Sequence, residues 1–109
     1  MSEITLREVC EKLGVSRRAV QGYEKAGLVT ASGKTDRGYL LYDAQAQERI
    51  RQIKQYQKFG FQLKEIAKII DAPESVLKQA LIKQAKVLEK KKVQTEDSLD
   101  EIYELIGAM

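Results

Sequence analysis

A three-residue turn, Gly14-Val15-Ser16, separates two short helical stretches, and this arrangement restricts the folds that the chain can adopt. Ser16 is a good helix N-cap, because its hydroxyl can accept a hydrogen bond from an amide in the first turn. Gly27 supplies the left-handed conformation with which many helices end. These two residues therefore bound a predicted helix of about ten residues.

The residues before this turn predict another amphipathic helix. Thr5 and Glu8 have the spacing of a capping box, in which each side chain bonds the backbone amide of the other residue. Apolar residues then recur at i, i+3, i+4 and i+7, namely Leu6, Val9, Cys10 and Leu13. Gly14 ends this helix. Two short helices joined by such a turn indicate a helix-turn-helix.

The second of these helices has an apolar face and a polar face. The apolar face carries Ala19, Val20 and Tyr23, and the polar face carries Arg17, Arg18, Gln21 and Lys25. Arginines in the first turn are unusual, because a helix N-terminus is already positive and a cation there costs up to ~1 kcal/mol. Their natural complement is an anion, and a polyanion is the favoured source. The alternative is a solvated face with chance arginines.

A β-hairpin is predicted directly after the second helix. The β-prone residues 28–30 and 39–42 flank a polar, basic loop over residues 31–38. Such a hairpin would be a wing, and its Lys34 and Arg37 could reach phosphates beside a DNA groove. An ordinary solvated turn is the alternative.

Two further helices complete the first part of the chain. Asp43 can cap a third helix that runs to about residue 59, and Gly60 ends it. A fourth helix is predicted by the stripe of Leu63, Ile66, Ala67 and Ile70. Pro73 interrupts it, because proline fits only the first turn of a new helix. Residues 1–72 are therefore predicted to form one compact domain of four helices and a small hairpin.

Residues 73–109 are predicted to form a helical dimerisation segment. Its apolar residues are too few for a core of their own but form two stripes, Val76, Leu77, Ala80, Leu81, Ala85 and Leu88, then Leu99, Ile102 and Ile106. Apolar rows of this length are uncommon on monomers, and a second copy is the simplest cover. A break near Ser98 and a continuous helix both remain open. Lysines precede acidic residues along the segment, which favours antiparallel pairing.

Composition excludes several classes of function. The chain has one cysteine and no histidine, so neither an intrachain disulfide nor a zinc site is expected. The commonest catalytic groups are also missing, and we expect neither an enzyme nor a cofactor. No apolar run approaches the ~20 residues that span a membrane, and no signal peptide is visible. A cytoplasmic protein without membrane contact is therefore expected.

Charge is unevenly distributed along the chain. Residues 1–60 hold eleven Lys and Arg against seven Asp and Glu, a net charge of +4. Residues 61–109 hold eight against nine, a net charge of −1. A surface that binds an acidic partner is therefore expected in the first half.

Residues 4–72, with the helix that follows them, resemble the MerR-type winged helix-turn-helix regulators. The matching pieces, in order, are Gly14-Val15-Ser16, Tyr23-Glu24, Gly27-Leu28, Gly38-Tyr39 with Tyr42, and residues 60–66. The resemblance implies a mostly α fold, a winged helix-turn-helix with a small β-hairpin wing followed by a C-terminal dimerisation helix. The order of charges along that helix favours its pairing as an antiparallel coiled coil. It also implies a homodimeric, sequence-specific transcriptional regulator that binds double-stranded DNA at a pseudo-palindromic promoter site and distorts it. RNA polymerase is a further partner that the resemblance allows.

The candidate DNA contacts combine the polar helix face and the two wing cations with the residues that the resemblance adds. They are Ser16, Arg17, Arg18, Gln21, Tyr23, Lys25, Lys34, Arg37, Tyr39 and Lys58. The chain departs from the family where an Arg-Tyr-Tyr run is common, because it has Gln21-Gly22-Tyr23, and Leu40 occupies the place of a wing arginine. Gly22 is unfavourable in a helix, which suggests close approach of another backbone or helix.

Two other functions compete with this interpretation. An excisionase-like architectural factor of a mobile element would share the small winged fold, although the C-terminal helix argues against it. A helical protein-interaction module would use the same helix without binding DNA. Within the resemblance, the chain is expected to be a short member that lacks an evident effector domain.

Overall fold

A computed structural model describes residues 3–109 of the protein. The elements in chain order are β1 (Ile4–Thr5), α1 (Leu6–Leu13), α2 (Arg17–Lys25), β2 (Gly33–Lys34), β3 (Leu40–Tyr42), α3 (Ala44–Lys58), α4 (Leu63–Ile69) and α5 (Glu74–Ala108). The fold is mostly helical, with a small sheet as the wing and a long C-terminal helix, as predicted. Residues up to Asp71 form one compact unit, the winged unit, and residues from Ala72 to Met109 form another, the C-terminal unit.

Local capping explains the first two helices. The Thr5 hydroxyl accepts from the Glu8 amide at 3.3 Å, and the Glu8 carboxylate accepts from the Thr5 amide at 3.0 Å. The Thr5 amide and the Thr5 hydroxyl, which both donate to this carboxylate, lower the pKa of Glu8. Gly14 ends α1 with φ 65°, and Ser16 begins α2 by accepting from the Ala19 amide at 3.0 Å. The predicted helix-turn-helix is therefore confirmed. Local hydrogen bonds explain where α1 begins and where α2 begins.

The sheet differs from its prediction. Its order is β1-β3-β2, with both pairings antiparallel, and Gly33 lies opposite Leu41. The strand predicted over residues 28–30 is wrong, because the Leu28 amide bonds the Tyr23 carbonyl at 3.0 Å and so continues the end of α2. Leu28 and the residue after it are buried as core residues outside the sheet. The first hairpin strand is β2, and β1 was not predicted.

Each helix of the winged unit contributes to one core. Fully buried side chains come from all four helices: Val9, Val20, Ile50, Ile53 and Ile66. Burying such a side chain contributes roughly 1.5–3 kcal/mol. On α4 the predicted stripe is partly wrong, because Ala67 is exposed and Ile69 is buried. Ile66 and Ile69, three positions apart, lie on one face, and Ala67 lies about 100° away from Ile66 around the helix.

The C-terminal unit consists of one continuous helix. α5 runs over 35 residues from Glu74 to Ala108, with Pro73 at its N-cap. Of the two alternatives left open by the sequence, the break near Ser98 is not found, because the polar residues around it are mostly good helix formers. None of the residues of α5, all of them described, is buried. Within residues 3–109, no helix is long and apolar enough to cross a membrane.

Candidate nucleic-acid interface

The core contacts of α2 determine which of its side chains reach the surface. Val20 is fully buried, and Tyr23 is only 2% exposed. With this face turned inward, the polar side chains on the rest of the helix are left exposed. These are Arg17, Arg18, Gln21 and Lys25. The structure thus brings together on one exposed surface the four polar residues of the predicted recognition face.

Two tyrosine hydrogen bonds hold α2 against its neighbours. The Tyr23 hydroxyl donates to Gln57 on α3 at 2.7 Å, and the Tyr42 hydroxyl on β3 donates to the Glu24 carboxylate. Burial raises the pKa of Tyr23, and burial together with Glu24 raises the pKa of Tyr42. Both phenols therefore stay protonated at neutral pH and keep donating. These two bonds hold α2 to α3 and to β3 of the wing, and so fix its orientation.

The wing is a tight hairpin with basic residues at its tip. The Thr35 amide donates to the Tyr39 carbonyl at 2.8 Å, and the Gly38 amide donates to the Thr35 carbonyl at 2.9 Å. Gly38 has φ 86°, which few other residues adopt. Lys34 and Arg37 are exposed, and Tyr39 is 62% exposed. The wing therefore presents two cations and an aromatic ring to solvent.

Cations of the winged unit fall into two groups. Several are tied to the fold: Lys12 donates to Gln47 at 2.9 Å, Lys54 to the Leu13 carbonyl at 2.8 Å, and Arg51 pairs with Glu48 at 2.6 Å. The side chains of the others make no hydrogen bond or ion pair with any residue in the described part of the chain. They are Arg17, Arg18, Lys25, Lys34, Arg37, Lys58, Lys64 and Lys68. Six of these eight are predicted DNA contacts.

The most buried cation of the unit has a structural role. Arg49 donates through Nε to the Leu28 carbonyl at 2.8 Å and forms two bonds of 2.6 Å with the Asp71 carboxylate. The paired guanidinium lowers the pKa of Asp71, and the carboxylate raises the pKa of Arg49. Arg49 therefore ties the end of α2 to the end of the winged unit.

Two predicted features fit the structure less well. Tyr23 lies in the core with its hydroxyl bonded to Gln57, so it is not part of the exposed surface. A Cβ added to Gly22 would meet no atom of residues 3–109 within 4 Å, so the close approach expected there is not made by the described part of the chain. Ser16 is exposed and its hydroxyl accepts from the Ala19 amide, which leaves the hydroxyl proton available to donate.

One residue near this surface was missed. Arg7, in the first turn of α1, lines a groove of about 550 Å³ together with Arg17 and Tyr39. The signal was present in the sequence, because Arg7 is another cation at a helix N-terminus, where the helix dipole disfavours it. Among residues 3–109, no group of three or more metal-ligating side chains is close enough to hold an ion.

Comparison with known families accounts for this arrangement. Residues 4–73 match the model of the MerR HTH family regulatory proteins, and residues 47–109 match a model described as MerR, DNA binding. The chain belongs to the MerR family. The two matches overlap and together extend from β1 to the end of the chain, so the resemblance seen in residues 4–72 and the helix after them is confirmed.

Individual MerR-family members show how far the likeness reaches. The chain is 36% identical over 97 residues, 89% of its length, to the HTH-type transcriptional activator mta of Bacillus subtilis. It is also 36% identical over 63 residues, 58% of its length, to the mercuric resistance operon regulatory protein of Bacillus cereus. It spans 38% of the first relative and 48% of the second.

A solved structure matches nearly all of this MerR-family chain. It is the N-terminus of MtaN, the Bacillus subtilis multidrug transporter activator, with a TM-score of 0.77 and 34% identity. The match covers 94% of this chain and 97% of that one. The likeness therefore includes the winged unit and the long helix.

Proposed function

We propose that the protein is a homodimeric transcription regulator that binds double-stranded DNA through α2 and the wing. The observation that carries this proposal is the group of exposed cations on α2 and the hairpin that have no carboxylate partner in residues 3–109. Carboxylates neutralise Arg49 and Arg51. A surface whose cations have no carboxylate partner is typical of a protein that binds a polyanion. Membership of a regulator family supports the same partner.

The exposed residues of α2 divide into two kinds of contact. Arg18 and Gln21 have side chains suited to the edges of guanine and adenine, respectively, in the major groove. Arg17 and Lys25 lie at the two ends of the same helix, where phosphate contacts are expected. The remaining proposed backbone contacts are Lys34, Arg37, Tyr39 and Lys58. Tyr23 is not carried into this proposal, because it lies in the core.

The proposed dimer is formed by α5. Large apolar side chains are exposed along it, among them Val76, Leu88, Leu99, Ile102 and Ile106. Leu77, Ala80 and Leu81 are half-buried and Ala85 is exposed. A single helix that exposes such rows is more stable with a partner that covers them. A second copy of the chain is the proposed partner.

Charge along α5 favours an antiparallel pair. Five lysines lie in the range 83–92, and five carboxylates follow in the range 96–104. Antiparallel pairing sets the basic half of one helix beside the acidic half of the other, whereas parallel pairing sets like charges together. Each exposed pair contributes little, but like-charge contacts select against the wrong orientation. The two α2 helices could then face successive major grooves, ~34 Å apart, and a pseudo-palindromic site is proposed.

Gel-shift titrations test DNA binding by this surface. Arg18→Ala should cost ~1–3 kcal/mol at a preferred site and relax its discrimination. Arg37→Ala should instead weaken binding to all sequences alike and lower the salt dependence. Full-length protein that binds every genomic fragment no more tightly than bulk DNA would contradict a role in specific regulation and favour the protein-interaction module.

Distances between spin labels test the orientation of α5. The variant Lys78→Cys, made together with Cys10→Ser, carries one spin label per chain. The two labels of a dimer should lie ~40 Å apart if the helices pair antiparallel about their midpoints. A parallel pair would bring the two labels to roughly 10–15 Å, close to the helix spacing. The short distance would contradict the antiparallel dimer.

A further inference from the structure

Arg7 is a cation that the fold holds only through an exposed pair with Glu11 and that the proposed interface does not include. It is the second residue of α1, and Arg17 is the first residue of α2. Both places lie at the positive end of a helix dipole, where a cation is unfavourable. Two helices that each have an unfavourably placed arginine in the first turn are best explained by one anion that both arginines bind.

The groove between these two arginines joins three elements of the winged unit. Its volume is about 550 Å³. It is lined by the start of α1 (Thr5, Leu6, Arg7), the start of α2 (Arg17) and the wing (Gly38, Tyr39, Leu40). The same groove thus connects the helix start and the hairpin that are proposed to lie against DNA.

The groove is positively charged. Among residues 3–109, the charged side chains that line it are Arg7 and Arg17, and no carboxylate of this range does so. Glu8 is turned to the Thr5 amide and hydroxyl, both at 3.0 Å. Glu11 approaches Arg7 only to 3.4 Å, and the side chains of this pair are 69% and 83% exposed, respectively. An exposed pair of this kind is weak and is readily exchanged for a stronger partner.

A third donor is available at the wing. The Tyr39 side chain is largely exposed, and its hydroxyl has no hydrogen-bond partner among residues 3–109. A guanidinium offers paired N–H donors that match two oxygens of a phosphate. Two arginines and a phenol around one cationic groove therefore suit a single phosphodiester group.

We propose that Arg7 and Arg17 together hold one phosphate of the DNA backbone in this groove, with the Tyr39 hydroxyl beside it. The proposal rests on the DNA-binding function proposed above, and it adds α1 to the interface. Arg7 exchanges Glu11 for the phosphate when DNA binds. Its contribution is independent of base sequence, because a phosphate carries no base identity.

The test compares full-length variants on a selected duplex and on a duplex of scrambled sequence, over a range of salt concentrations. Arg7→Gln should weaken binding to both duplexes by roughly fivefold to tenfold and reduce the slope of log affinity against log salt by about one. Arg51→Gln is the matched control, because it removes the same charge from a residue paired with Glu48 outside the groove. Arg7→Lys, which keeps the charge, should keep the slope.

A double variant tests whether the two arginines share one phosphate. Arg7→Gln and Arg17→Gln should be non-additive, with the double variant losing less than the product of the two single losses. Strictly multiplicative losses would contradict a shared phosphate. Circular dichroism of Arg7→Gln is expected to match the wild type, because the side chain is largely exposed.

Failure of this inference differs from failure of the proposed function. If wild-type protein binds DNA but Arg7→Gln behaves like Arg51→Gln, the phosphate contact is wrong and DNA binding stands. A loss confined to the selected duplex would also overturn it, since Arg7 would then read bases. If wild-type protein binds neither duplex, the proposed function itself fails.

Discussion

The two units of this chain differ in how far their apolar side chains are exposed to solvent. The winged unit buries Val20, Ile50 and Ile66 completely, whereas the C-terminal unit leaves Leu99 and Ile102 about half exposed. A unit of this size that covers its own apolar side chains can fold alone, although with a small margin. A single helix with exposed apolar rows cannot gain that stability within one chain. We therefore expect the stability of the winged unit to come from its own core. The stability of the C-terminal unit should instead rise with protein concentration.

Removing the C-terminal unit is expected to have the largest effect. Truncation after Asp71 keeps the Arg49–Asp71 pair and the whole core, so the product should be a folded monomer. It should bind DNA ~10²–10⁴-fold more weakly, because two linked recognition helices gain affinity through effective concentration. Sedimentation and gel-shift titration measure both properties. A truncated protein with undiminished affinity would contradict a role of α5 in pairing.

A pair of alanine substitutions sharpens the contrast between the units. Ile50→Ala should lower the free energy of unfolding by ~2–5 kcal/mol at every protein concentration, because it opens a cavity in a closed core. Leu88→Ala, on α5, should lower it only where the dimer is populated. Urea unfolding at low and high protein concentration separates the two. Equal losses from Leu88→Ala at both concentrations would mean that its contacts lie within one chain.

Features set by a few neighbouring residues were predictable from the sequence. Thr5, Ser16 and Asp43 cap their helices as expected, because each bonds an amide three residues away. Gly14 and Gly27 lie at the ends of α1 and α2 as predicted, and Gly27 takes the left-handed conformation that was expected of it. Such interactions close within one helical turn, so the sequence alone specifies them.

Features that depend on distant partners were not predictable in this way. The apolar run that begins at Leu28 was interpreted as a strand, although its burial comes from the core. β1 was missed because its pairing of Ile4 with Tyr42 joins residues far apart in the chain. For Tyr23, its position on the apolar helix face was a better guide to its burial than the resemblance, which placed it among the DNA contacts.

The smallest effect concerns the surface of α2. Gly22→Ala should raise the free energy of unfolding by ~0.5–1 kcal/mol, because Ala favours a helix and no neighbouring atom obstructs its methyl group. If DNA approaches α2 closely at this position, the same change should weaken DNA binding. Thermal unfolding and gel-shift titration of one variant measure both. Destabilisation would show that the position is crowded in the folded protein.

We propose that α5 pairs two copies of the chain, so that two α2 surfaces bind one DNA site. Selection of preferred sites from a random pool of duplexes by the full-length protein tests this pairing. We predict enrichment of an inverted repeat whose half-sites lie about one helical turn, or a multiple of it, apart. Enrichment of a single asymmetric half-site, or of no sequence at all, would contradict the claim.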